Sequence, residues 1–479
     1  MKVLYVSAEV EPFAKSGGLG DVLGALPKSI AKQGAEVAVV MPKYGRVIEP
    51  KYHEQMQYLG YFYVDLNWRH QYCGVFKFVK DGVTFYFLDS EYYFGGDMYC
   101  FADNERFAFF SKAVLDTVCF LGESFDVIHC NDWSGALVPV YYDAFYRNLP
   151  NMTDTKFVYT IHNLRYQGRM SKGEAQDLTG LDDYYFTQDR LMQGDGVNLM
   201  KGAIVFSHAV TTVSDTYARE ITTDYYGEGL NRVINQYAYK TTGILNGVDY
   251  DAYSPSKDKL IYAKYTAKTV KSGKQENKLQ LQSELGLPQD ADTVMIGVIS
   301  RLVDQKGLHL LDEVMPRLMN ARVQLVVLGT GEQRYEDMFR YYASRHADKL
   351  SANITFNNAL AHKIYAACDL FLMPSDFEPC GLSQIISLKY GTLPLVRETG
   401  GLKDTITSYN EQTGKGNGFS FANSNADDLW YTLCRALTMY YERRDVWDKV
   451  VQSALKCDFS WKKSACKYAE LYKTLTQPN

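Results

Sequence analysis

The sequence predicts an α/β protein of two domains, each built on a parallel sheet. Short apolar runs of strand length alternate with segments whose apolar residues fall on one helix face, the pattern of parallel strands joined by crossover helices. The chain has 479 residues, more than one hydrophobic core normally holds. Glycine-rich loops follow several of the apolar runs, and open parallel sheets bind ligands at the carboxyl ends of their strands.

The composition narrows the class of protein. Hydrophobic residues make up 46% and charged residues 22%, as in ordinary globular proteins, and the net charge of -5 gives no general attraction to nucleic acid. The 9 cysteines are scattered without metal-ligand spacing, which is typical of reduced thiols. No apolar run reaches membrane-spanning length, and the chain opens on a strand pattern rather than a signal peptide. We therefore expect a cytoplasmic protein with no nucleic-acid or membrane partner.

The first glycine-rich loop lies between a strand predicted at Lys2–Ala8 and a helix predicted over Leu19–Ile30. This strand–loop–helix layout is Rossmann-like, although the glycine spacing is not GxGxxG, so it indicates dinucleotide binding only weakly. Lys15 stands beside Gly17 and Gly18, where a cation can meet a phosphate; a solvated lysine is the alternative.

The rest of the first domain continues the α/β pattern. Alternating aromatic runs between Tyr44 and Tyr99 predict antiparallel strands added to the parallel ones. Further strands are predicted at 37–42, 125–130, 156–161 and 203–213, with a helix at 105–120. His162 follows the strand at 156–161. A lone histidine is more often a buried structural residue, but a position at a strand's carboxyl end favours a ligand role.

A connector separates the two domains. It contains seven lysines from Lys257 to Lys278, which we interpret as a solvated helix and linker. The second domain then opens with a strand at Val294–Ser300 and a loop carrying Arg301 and Lys306. Two cations in one loop can grip both phosphates of a diphosphate, Arg as a planar fork and Lys as a point charge. A surface pair without a role is the alternative.

The second domain repeats the alternation of strands and helices. Strands are predicted at 323–329, 354–356, 370–375 and 393–396, and helices from Leu308 and over 335–345, 359–368, 429–441 and 464–475. After the strand at 370–375, Cys380 and Gly381 are small enough for a ligand to approach the amides that open the next helix at Leu382. Glu378 in the same loop is an acceptor suited to sugar hydroxyls.

Several motifs resemble those of bacterial glycogen synthases and plant starch synthases. They are KSGGLGD, HNLRYQG, SRLVDQKG, FSWKKSACKYAELY and the long segment PSDFEPCGLSQIISLKYGTLPLVRETGGLKDT, which together span nearly the whole chain. The resemblance implies a GT-B glycosyltransferase, with two Rossmann-like domains facing across a cleft. It places the acceptor side in residues 1–245, joined by the C-terminal helix 460–479, and the nucleotide-sugar side in 246–459. Ser134 departs from the pattern, because related synthases usually carry histidine there.

The resemblance also implies the reaction. Glucose is expected to pass from ADP-glucose to the non-reducing end of an α-1,4-glucan (glycogen or a maltooligosaccharide), with retention of configuration and without metal or cofactor. The motifs contain no obvious carboxylate nucleophile, because the strand end at His162 is expected to offer only imidazole and a backbone carbonyl. We therefore expect front-face transfer without a covalent glycosyl-enzyme.

Residue roles carry over from the resemblance motif by motif. Arg301 and Lys306 are expected to hold the diphosphate, and Glu378, His162 and Asn246 to contact glucose hydroxyls. Residues expected near the phosphates and sugar are Lys15, Gly17, Gly18, Cys380, Gly381, Leu382, Thr399 and Gly400. Phe356 is expected to stack on adenine. Residues expected along the acceptor are Asp21, Trp133 and Asn163, and Asp132 is expected to bind substrate.

Other readings of the same motifs stay open at this point. A related transferase class carries a second glutamate eight residues after the first, where this chain has Ile386, and that favours the synthase branch. The alternatives are another GT-B glucosyltransferase, a sugar-nucleotide epimerase, an inactive binding protein that would be expected to lack Lys306 or Glu378, or a synthase that prefers UDP-glucose.

Overall fold

A computed structural model describes residues 1–477 of the chain. The chain forms two compact units, which divide between Gly247 and Val248 and again between Ser460 and Trp461. Unit 1 contains the N-terminal segment and the C-terminal segment from Trp461, and unit 2 is Val248–Ser460. Each unit is built around its own sheet.

The strands of unit 1 form one long sheet and one small one. They are β1 (Lys2–Val6), β2 (Glu36–Pro42), β3 (Gln57–Leu66), β4 (Arg69–Lys80), β5 (Val83–Asp89), β6 (Val127–Asn131), β7 (Lys156–Ile161), β8 (Arg169–Ser171), β9 (Met192–Gln193), β10 (Gly196–Asn198), β11 (Ala209–Thr212) and β12 (Thr241–Gly243). The long sheet runs in the order β12-β11-β7-β6-β1-β2-β5-β4-β3, and β8, β10 and β9 form the small antiparallel sheet.

The long sheet has a switch point between β1 and β6. Pairing is parallel from β12 to β5, whereas β4 and β3 extend the sheet as an antiparallel hairpin. The chain leaves β1 towards β2 on one side and later returns to β6 on the other. In open parallel sheets, ligands bind beyond the carboxyl ends of the strands where the order reverses. The loops after β1 and β6 therefore hold the first candidate site.

Helices cover the long sheet of unit 1. They are α1 (Gly18–Ala31), α2 (Pro50–His53), α3 (Glu91–Phe94), α4 (Asp103–Leu121), α5 (Leu137–Tyr141), α6 (Lys172–Thr179), α7 (Leu199–Phe206), α8 (Asp215–Glu220) and α9 (Asn231–Gln236). Local capping sets several of these ends. Ser214 accepts a hydrogen bond from the Tyr217 amide and starts α8.

Unit 2 has a parallel sheet with the same kind of switch point. Its strands are β13 (Val294–Ile299), β14 (Val323–Leu328), β15 (Leu350–Asn353), β16 (Leu370–Met373), β17 (Leu393–Arg397) and β18 (Phe419–Phe421), in the order β15-β14-β13-β16-β17-β18. The order reverses between β13 and β16, which are parallel neighbours. The loops after these two strands hold the second candidate site.

The remaining helices pack around this second sheet, except the last, which belongs to unit 1. They are α10 (Val270–Glu284), α11 (Leu308–Asn320), α12 (Gln333–Arg345), α13 (Asn358–Ala367), α14 (Ser383–Lys389), α15 (Gly400–Thr405), α16 (Ala426–Glu442), α17 (Arg444–Leu455) and α18 (Trp461–Thr476). The Tyr472 hydroxyl of α18 lies 2.9 Å from the Tyr5 hydroxyl of β1 and 2.6 Å from His129 Nδ1 of β6. No helix within residues 1–477 is long and apolar enough to cross a membrane.

Two expectations from the sequence are wrong in detail. The run 203–213 is not one strand, because the Asn198 side chain caps α7 and carries the helix to Phe206 before β11 begins. The strand predicted at 354–356 lies earlier, at β15, and Phe356 stands on the exposed bend that follows.

The lysine-rich connector is also not wholly solvated. Lys274 and Lys278 are 9% and 2% exposed on the inner side of α10. Lys278 forms a 2.6 Å ion pair with Asp369, and Lys274 donates to Thr392 Oγ1. Burial lowers the pKa of Lys274 to about 7. These two positions are four residues apart and share one helix face, which lysine composition alone does not reveal.

Candidate active site

The centre of the unit 2 site is an ion pair between its two switch-point loops. Lys306 ends a 3-10 turn after β13, and Glu378 lies in the loop after β16. The Lys306 ammonium donates to Glu378 Oε2 at 2.6 Å, and Ser375 Oγ donates to the same oxygen at 3.2 Å. The two charged side chains are 17% and 9% exposed. The sequence-predicted cation and sugar acceptor are thus brought together in the ends of adjacent strands.

Glycines let three loops meet at this ion pair. A Cβ on Gly307, which follows Lys306, would lie 1.9 Å from the Pro374 carbonyl oxygen. A Cβ on Gly400 would lie 2.0 Å from the Glu378 carbonyl oxygen, and φ at Gly400 is +44°. Side chains do not fit such approaches. The backbone contacts therefore fix the loop that contains Thr399 and Gly400 against the loop that contains Glu378.

Gln384 holds the turn that opens α14. Its Nε2 donates to the carbonyl oxygens of Cys380 and Gly381 at 3.0 and 2.9 Å, and Gly381 takes φ +69°. Gln384 Oε1 is buried and has no hydrogen-bond partner among the described residues. Leu382 is the N-cap residue of α14. Sequence reasoning placed Cys380, Gly381 and Leu382 here but missed Gln384, whose polar side chain stands on the buried face of a predicted amphipathic helix.

Arg301 and Phe356 are two further residues of unit 2 that the sequence predicted, and both side chains are exposed. Arg301 is exposed, and its side chain forms no hydrogen bond or ion pair with residues 1–477. Phe356 is 81% exposed on the bend after β15. Both are placed at the carboxyl end of the sheet by the strands they follow.

In unit 1, a buried carboxylate organises the loop after β1. Glu9 is 4% exposed and accepts hydrogen bonds from the Ser16 amide (2.7 Å), the Gly17 amide (3.1 Å), the Ser16 hydroxyl (2.7 Å) and the Tyr99 hydroxyl (2.6 Å). No motif in the sequence singled out Glu9. The two amides lie just before α1, so Glu9 supplies a negative charge where a helix N-terminus favours one.

Lys15 and Asp21 form an ion pair across this loop. Lys15 Nζ donates to Asp21 Oδ1 at 2.6 Å. Burial raises the pKa of Asp21, and Lys15 partly offsets that rise. Gly17 is the N-cap and Gly18 the first residue of α1. Lys15 also needs Gly20, because a Cβ there would lie 2.9 Å from Lys15 Cγ.

Asp132 joins the ends of β6 and β7. Its Oδ1 accepts hydrogen bonds from the backbone amides of His162 (2.8 Å) and Asn163 (3.3 Å). Burial raises the pKa of Asp132 to about 7, against the effect of these two amides. Its φ of +53° turns the chain so that the side chain reaches the next strand. The strand end at His162 therefore offers a carboxylate as well as imidazole and carbonyl, contrary to the expectation from the motifs.

His162 is held as a neutral ring. Its Nε2 lies 2.9 Å from Asn131 Oδ1, and the Asn131 amide nitrogen donates to the carbonyl oxygens of Val6 and His129. Asn131 Oδ1 must therefore accept the Nε2 proton, which leaves a lone pair on Nδ1. Burial lowers the pKa of His162 to about 3, so the ring is uncharged at neutral pH.

The other predicted residues of unit 1 lie near the same strand ends. Asn246 is 4% exposed beyond β12, and its buried Oδ1 has no hydrogen-bond partner within residues 1–477. Asn163 Oδ1 accepts from the Arg165 amide. Trp133 packs edge-on against Phe107 with ring centroids 5.0 Å apart.

The candidate residues of unit 1 and those of unit 2 differ in the chemical groups that they present. Unit 2 presents cations and a glycine-rich backbone, which suit phosphate, and unit 1 presents carboxylate, amide and imidazole acceptors, which suit hydroxyls. Among the described residues, no group of three or more His, Cys, Asp or Glu side chains is placed to hold a metal ion.

Family models match both halves of the chain. The model for the starch synthase catalytic domain matches residues 2–236, and the model for glycosyl transferases group 1 matches residues 285–452.

Curated relatives match over the full length. A glycogen synthase of Clostridium novyi (strain NT) is 48% identical over 480 residues, covering 99% of each chain. A glycogen synthase of Lachnospira eligens is 51% identical over 476 residues, also covering 99% of each chain.

Solved structures resemble both units. The catalytic domain of starch synthase IV from Arabidopsis thaliana, bound to ADP and acarbose, matches with a TM-score of 0.93 and 34% identity over 99% of each chain. A sucrose-phosphate synthase from Thermosynechococcus elongatus matches with a TM-score of 0.64 and 18% identity, which is a likeness of fold alone.

Proposed function

This chain belongs to the family of glycogen synthases and starch synthases, and from that membership we propose that it transfers glucose from ADP-glucose to the non-reducing 4-hydroxyl of an α-1,4-glucan, with retention of configuration. The observation that carries the proposal is the Lys306–Glu378 pair at the switch point of unit 2. Lys306 Nζ lies 2.6 Å from Glu378 Oε2, and this supports a site in which the lysine meets phosphate and the glutamate accepts from sugar hydroxyls.

Unit 2 is assigned the donor. Lys306 and the exposed Arg301 bind the diphosphate. The phosphates and the sugar are supported by the backbone of the two glycine-containing loops, at Cys380, Gly381, Leu382, Thr399 and Gly400. Glycine at 400 and 401 lets this backbone come close to the ligand as well as to the neighbouring loop. Phe356, which is 81% exposed, stacks on the adenine.

The glucose hydroxyls are recognised by acceptors. Glu378 is one, the Nδ1 lone pair of neutral His162 is a second, and the buried Oδ1 of Asn246 is a third. A buried acceptor without a partner costs free energy, and a sugar hydroxyl that donates to it removes that cost. Lys15, with Gly17 and Gly18, contributes from the loop after β1.

Unit 1 is assigned the glucan acceptor. Asp132, Trp133 and Asn163 lie just beyond the carboxyl ends of β6 and β7, and Asp21 lies in the first turn of α1. Trp133 offers its ring and the others offer polar atoms. As the glycosidic bond breaks, negative charge builds on the departing diphosphate, and Arg301 and Lys306 neutralise it without a metal ion. The acceptor hydroxyl loses its proton towards that departing phosphate.

A donor-by-acceptor assay tests the proposal. ADP-glucose and UDP-glucose are each incubated with the protein in the presence and absence of glycogen, and nucleotide release and polymer growth are both measured. We expect glucan-dependent ADP release with equal incorporation of glucose into polymer, unchanged by a metal chelator. Nucleotide release that does not depend on glucan would contradict the proposal and indicate a hydrolase, and conversion of the sugar without release would indicate an epimerase.

A further inference from the structure

Three basic side chains lie at the amino end of the long sheet of unit 1 and are here called the basic cluster. Lys156 is the first residue of β7, His208 directly precedes β11, and Lys240 directly precedes β12. These three strands are adjacent and parallel, so their amino ends lie side by side. β7 is 6 residues long, which is roughly 20 Å at about 3.3 Å per residue. The cluster is therefore at the opposite edge of the sheet from His162.

His208 presents one ring N–H outwards. Its Nδ1 accepts a hydrogen bond from the Phe157 amide at 2.9 Å, and its own amide donates to the Phe157 carbonyl oxygen at 2.8 Å. Because Nδ1 is an acceptor, the proton of the neutral ring is on Nε2. The residue is exposed, and Nε2 forms no hydrogen bond within residues 1–477. This N–H is available to an acceptor from outside the chain.

Lys240 is fixed in place with one donor unused. Its ammonium donates to the carbonyl oxygens of Val205 and Ser207 at 3.0 and 2.6 Å, and lies 4.6 Å from the centroid of the Tyr237 ring. An ammonium group has three N–H donors, so one remains. A cation that is already held loses little conformational entropy when a ligand arrives.

The basic cluster has no counter-charge of its own. Neither Lys156 nor Lys240 forms an ion pair with a carboxylate within residues 1–477. Partial burial and the charges of these two lysines lower the pKa of His208 to about 4, and burial lowers the pKa of Lys240 to about 8. Burial and like charges both disfavour the protonated forms, and a bound anion would offset both effects.

The carboxylates on neighbouring elements do not supply that charge. Asp126, just before β6, lies 3.9 Å from the amino group of Met1. Asp189, near Tyr237, is paired with Arg190 at 3.2 Å. Asp154 is exposed and lies near Tyr142. None of the three forms an ion pair with the basic cluster.

We propose that the basic cluster binds an oxyanion whose chemistry is that of a phosphate group, as the free ion or in a monoester. Lys156 and Lys240 supply positive charge, and His208 Nε2 donates to one oxygen. A phosphate carries up to two negative charges near neutral pH, which matches two ammonium groups better than a single carboxylate does. The net charge of -5 favours a small anion over nucleic acid. The proposal does not depend on the proposed function, because the cluster lies outside the loops that hold the candidate active site.

Sulfate is the first probe, because its charge does not change near neutral pH. The ring resonances of His208 are followed by NMR in the full chain during a sulfate titration. We expect a saturable shift in wild type, and a dissociation constant weakened roughly tenfold or more in Lys156→Gln and in Lys240→Gln. Lys156 forms no side-chain hydrogen bond within residues 1–477, so its replacement removes charge without removing a native bond. Lys77→Gln, at a half-buried strand lysine without an ion pair, is the matched control and should bind as wild type does.

The dependence of binding on pH gives a readout that a purely structural role would not change. Lys240 loses its proton as pH rises through about 8, so the affinity of wild type for sulfate should fall from about pH 7 to about pH 9. This fall should be much smaller in Lys240→Gln and should persist in Lys77→Gln. The same fall in all three proteins would contradict the assignment of Lys240.

Two further ligands identify the source of the phosphate group. Inorganic phosphate and glycerol phosphate are compared at one pH: shifts with both assign the site to monoesters as well as to the free ion, and a shift with inorganic phosphate alone assigns it to the free ion. The shift should persist in Lys306→Ala, which alters the donor site instead. Absence of any His208 shift, or equal sulfate binding by folded Lys156→Gln, Lys240→Gln and Lys77→Gln, would overturn the proposal.

Discussion

At the scale of single residues, the position of Lys306 supports the proposal that one cation serves both binding and catalysis. Its ammonium is 2.6 Å from Glu378 Oε2, so its charge is largely compensated by a group that we assign to the sugar. A diphosphate that gains negative charge during bond breaking competes for this lysine more strongly than a ground-state diphosphate does. We infer that Lys306 contributes more to the transition state than to binding.

Removal of that charge should therefore affect rate more than affinity. We predict that Lys306→Ala lowers kcat by roughly 10²–10³, the usual loss when one donor aimed at developing charge is removed. Binding of ADP, measured by calorimetry, should weaken by a smaller factor. Lys363→Ala, which breaks another 2.6 Å ion pair of unit 2, with Glu284, is the matched control. Equal losses in kcat and in ADP affinity would contradict this division of roles.

A second prediction at the residue scale concerns Asp132 and the dependence of folding stability on pH. Its pKa is about 7 in the folded protein and 3.8 ordinarily, because burial disfavours the carboxylate. The folded state therefore binds more protons than the unfolded state between these values, and this residue's contribution to stability falls as pH rises from about 4 to 7. Asp132→Asn keeps an oxygen acceptor but does not titrate. We expect its melting temperature relative to wild type to be higher at pH 8 than at pH 5.

The comparison needs a control for general effects of charge removal. The exposed change Asp292→Asn should give the same melting-temperature difference at both pH values. A difference between Asp132→Asn and wild type that does not vary with pH would show that the buried carboxylate titrates outside this window.

At the scale of elements, the loop after β17 in unit 2 meets the loop after β16 through close backbone contact. Gly400→Ala would place a Cβ 2.0 Å from the Glu378 carbonyl oxygen at φ +44°. Gly414→Ala, at φ +66° with no atom within 4 Å of its Cβ, carries only the left-handed backbone cost of about 1–2 kcal/mol. In urea denaturation we expect Gly400→Ala to lose clearly more stability than this control. Equal losses would mean that the loop after β17 can move away without cost.

The helices and strands also show which parts of the fold could be predicted from the sequence and which could not. Periodicity located β13, α11 and β16 because each has one well-defined apolar pattern, but it could not order the strands, and the switch point at β13 and β16 is a property of that order. The run at 203–206 is apolar on all sides, so strand and helix were indistinguishable until the Asn198 cap was known. Gln384 and Glu9 act through hydrogen bonds to backbone atoms of nearby loop residues. A hydrophobic pattern does not reveal such bonds, because they depend on the loop conformation.

At the scale of the whole molecule, the family resemblance and the α/β GT-B fold class predicted from the motifs are confirmed by the full-length relatives and by the match at TM-score 0.93. The C-terminal helix α18 lies in unit 1, where Tyr472 bonds to β1 and β6. The chain therefore begins and ends in the same unit, and unit 2 is inserted between them. The roles of individual site residues remain predictions.

The last prediction concerns the stereochemical course of transfer, which depends on how the carboxylates of both units are held. Retention through a covalent intermediate requires a carboxylate free to attack the anomeric carbon. Glu378 is bound to Lys306 and Ser375, and Asp132 Oδ1 is bound to two backbone amides. Neither is arranged as a nucleophile, so we expect front-face transfer in which the departing phosphate receives the acceptor's proton.

Two measurements on one reaction decide this course. Proton NMR of the new linkage should show the α configuration, and mass spectrometry of protein quenched during turnover should show no added hexose. A β linkage would rule out retention. A hexose adduct on Asp132 would mean that this carboxylate leaves its two amides and attacks the sugar, and Asp132→Asn should then abolish the adduct and turnover together. An adduct on Glu378 would instead require Lys306 to release it first, and Lys306→Ala should then increase the yield of adduct.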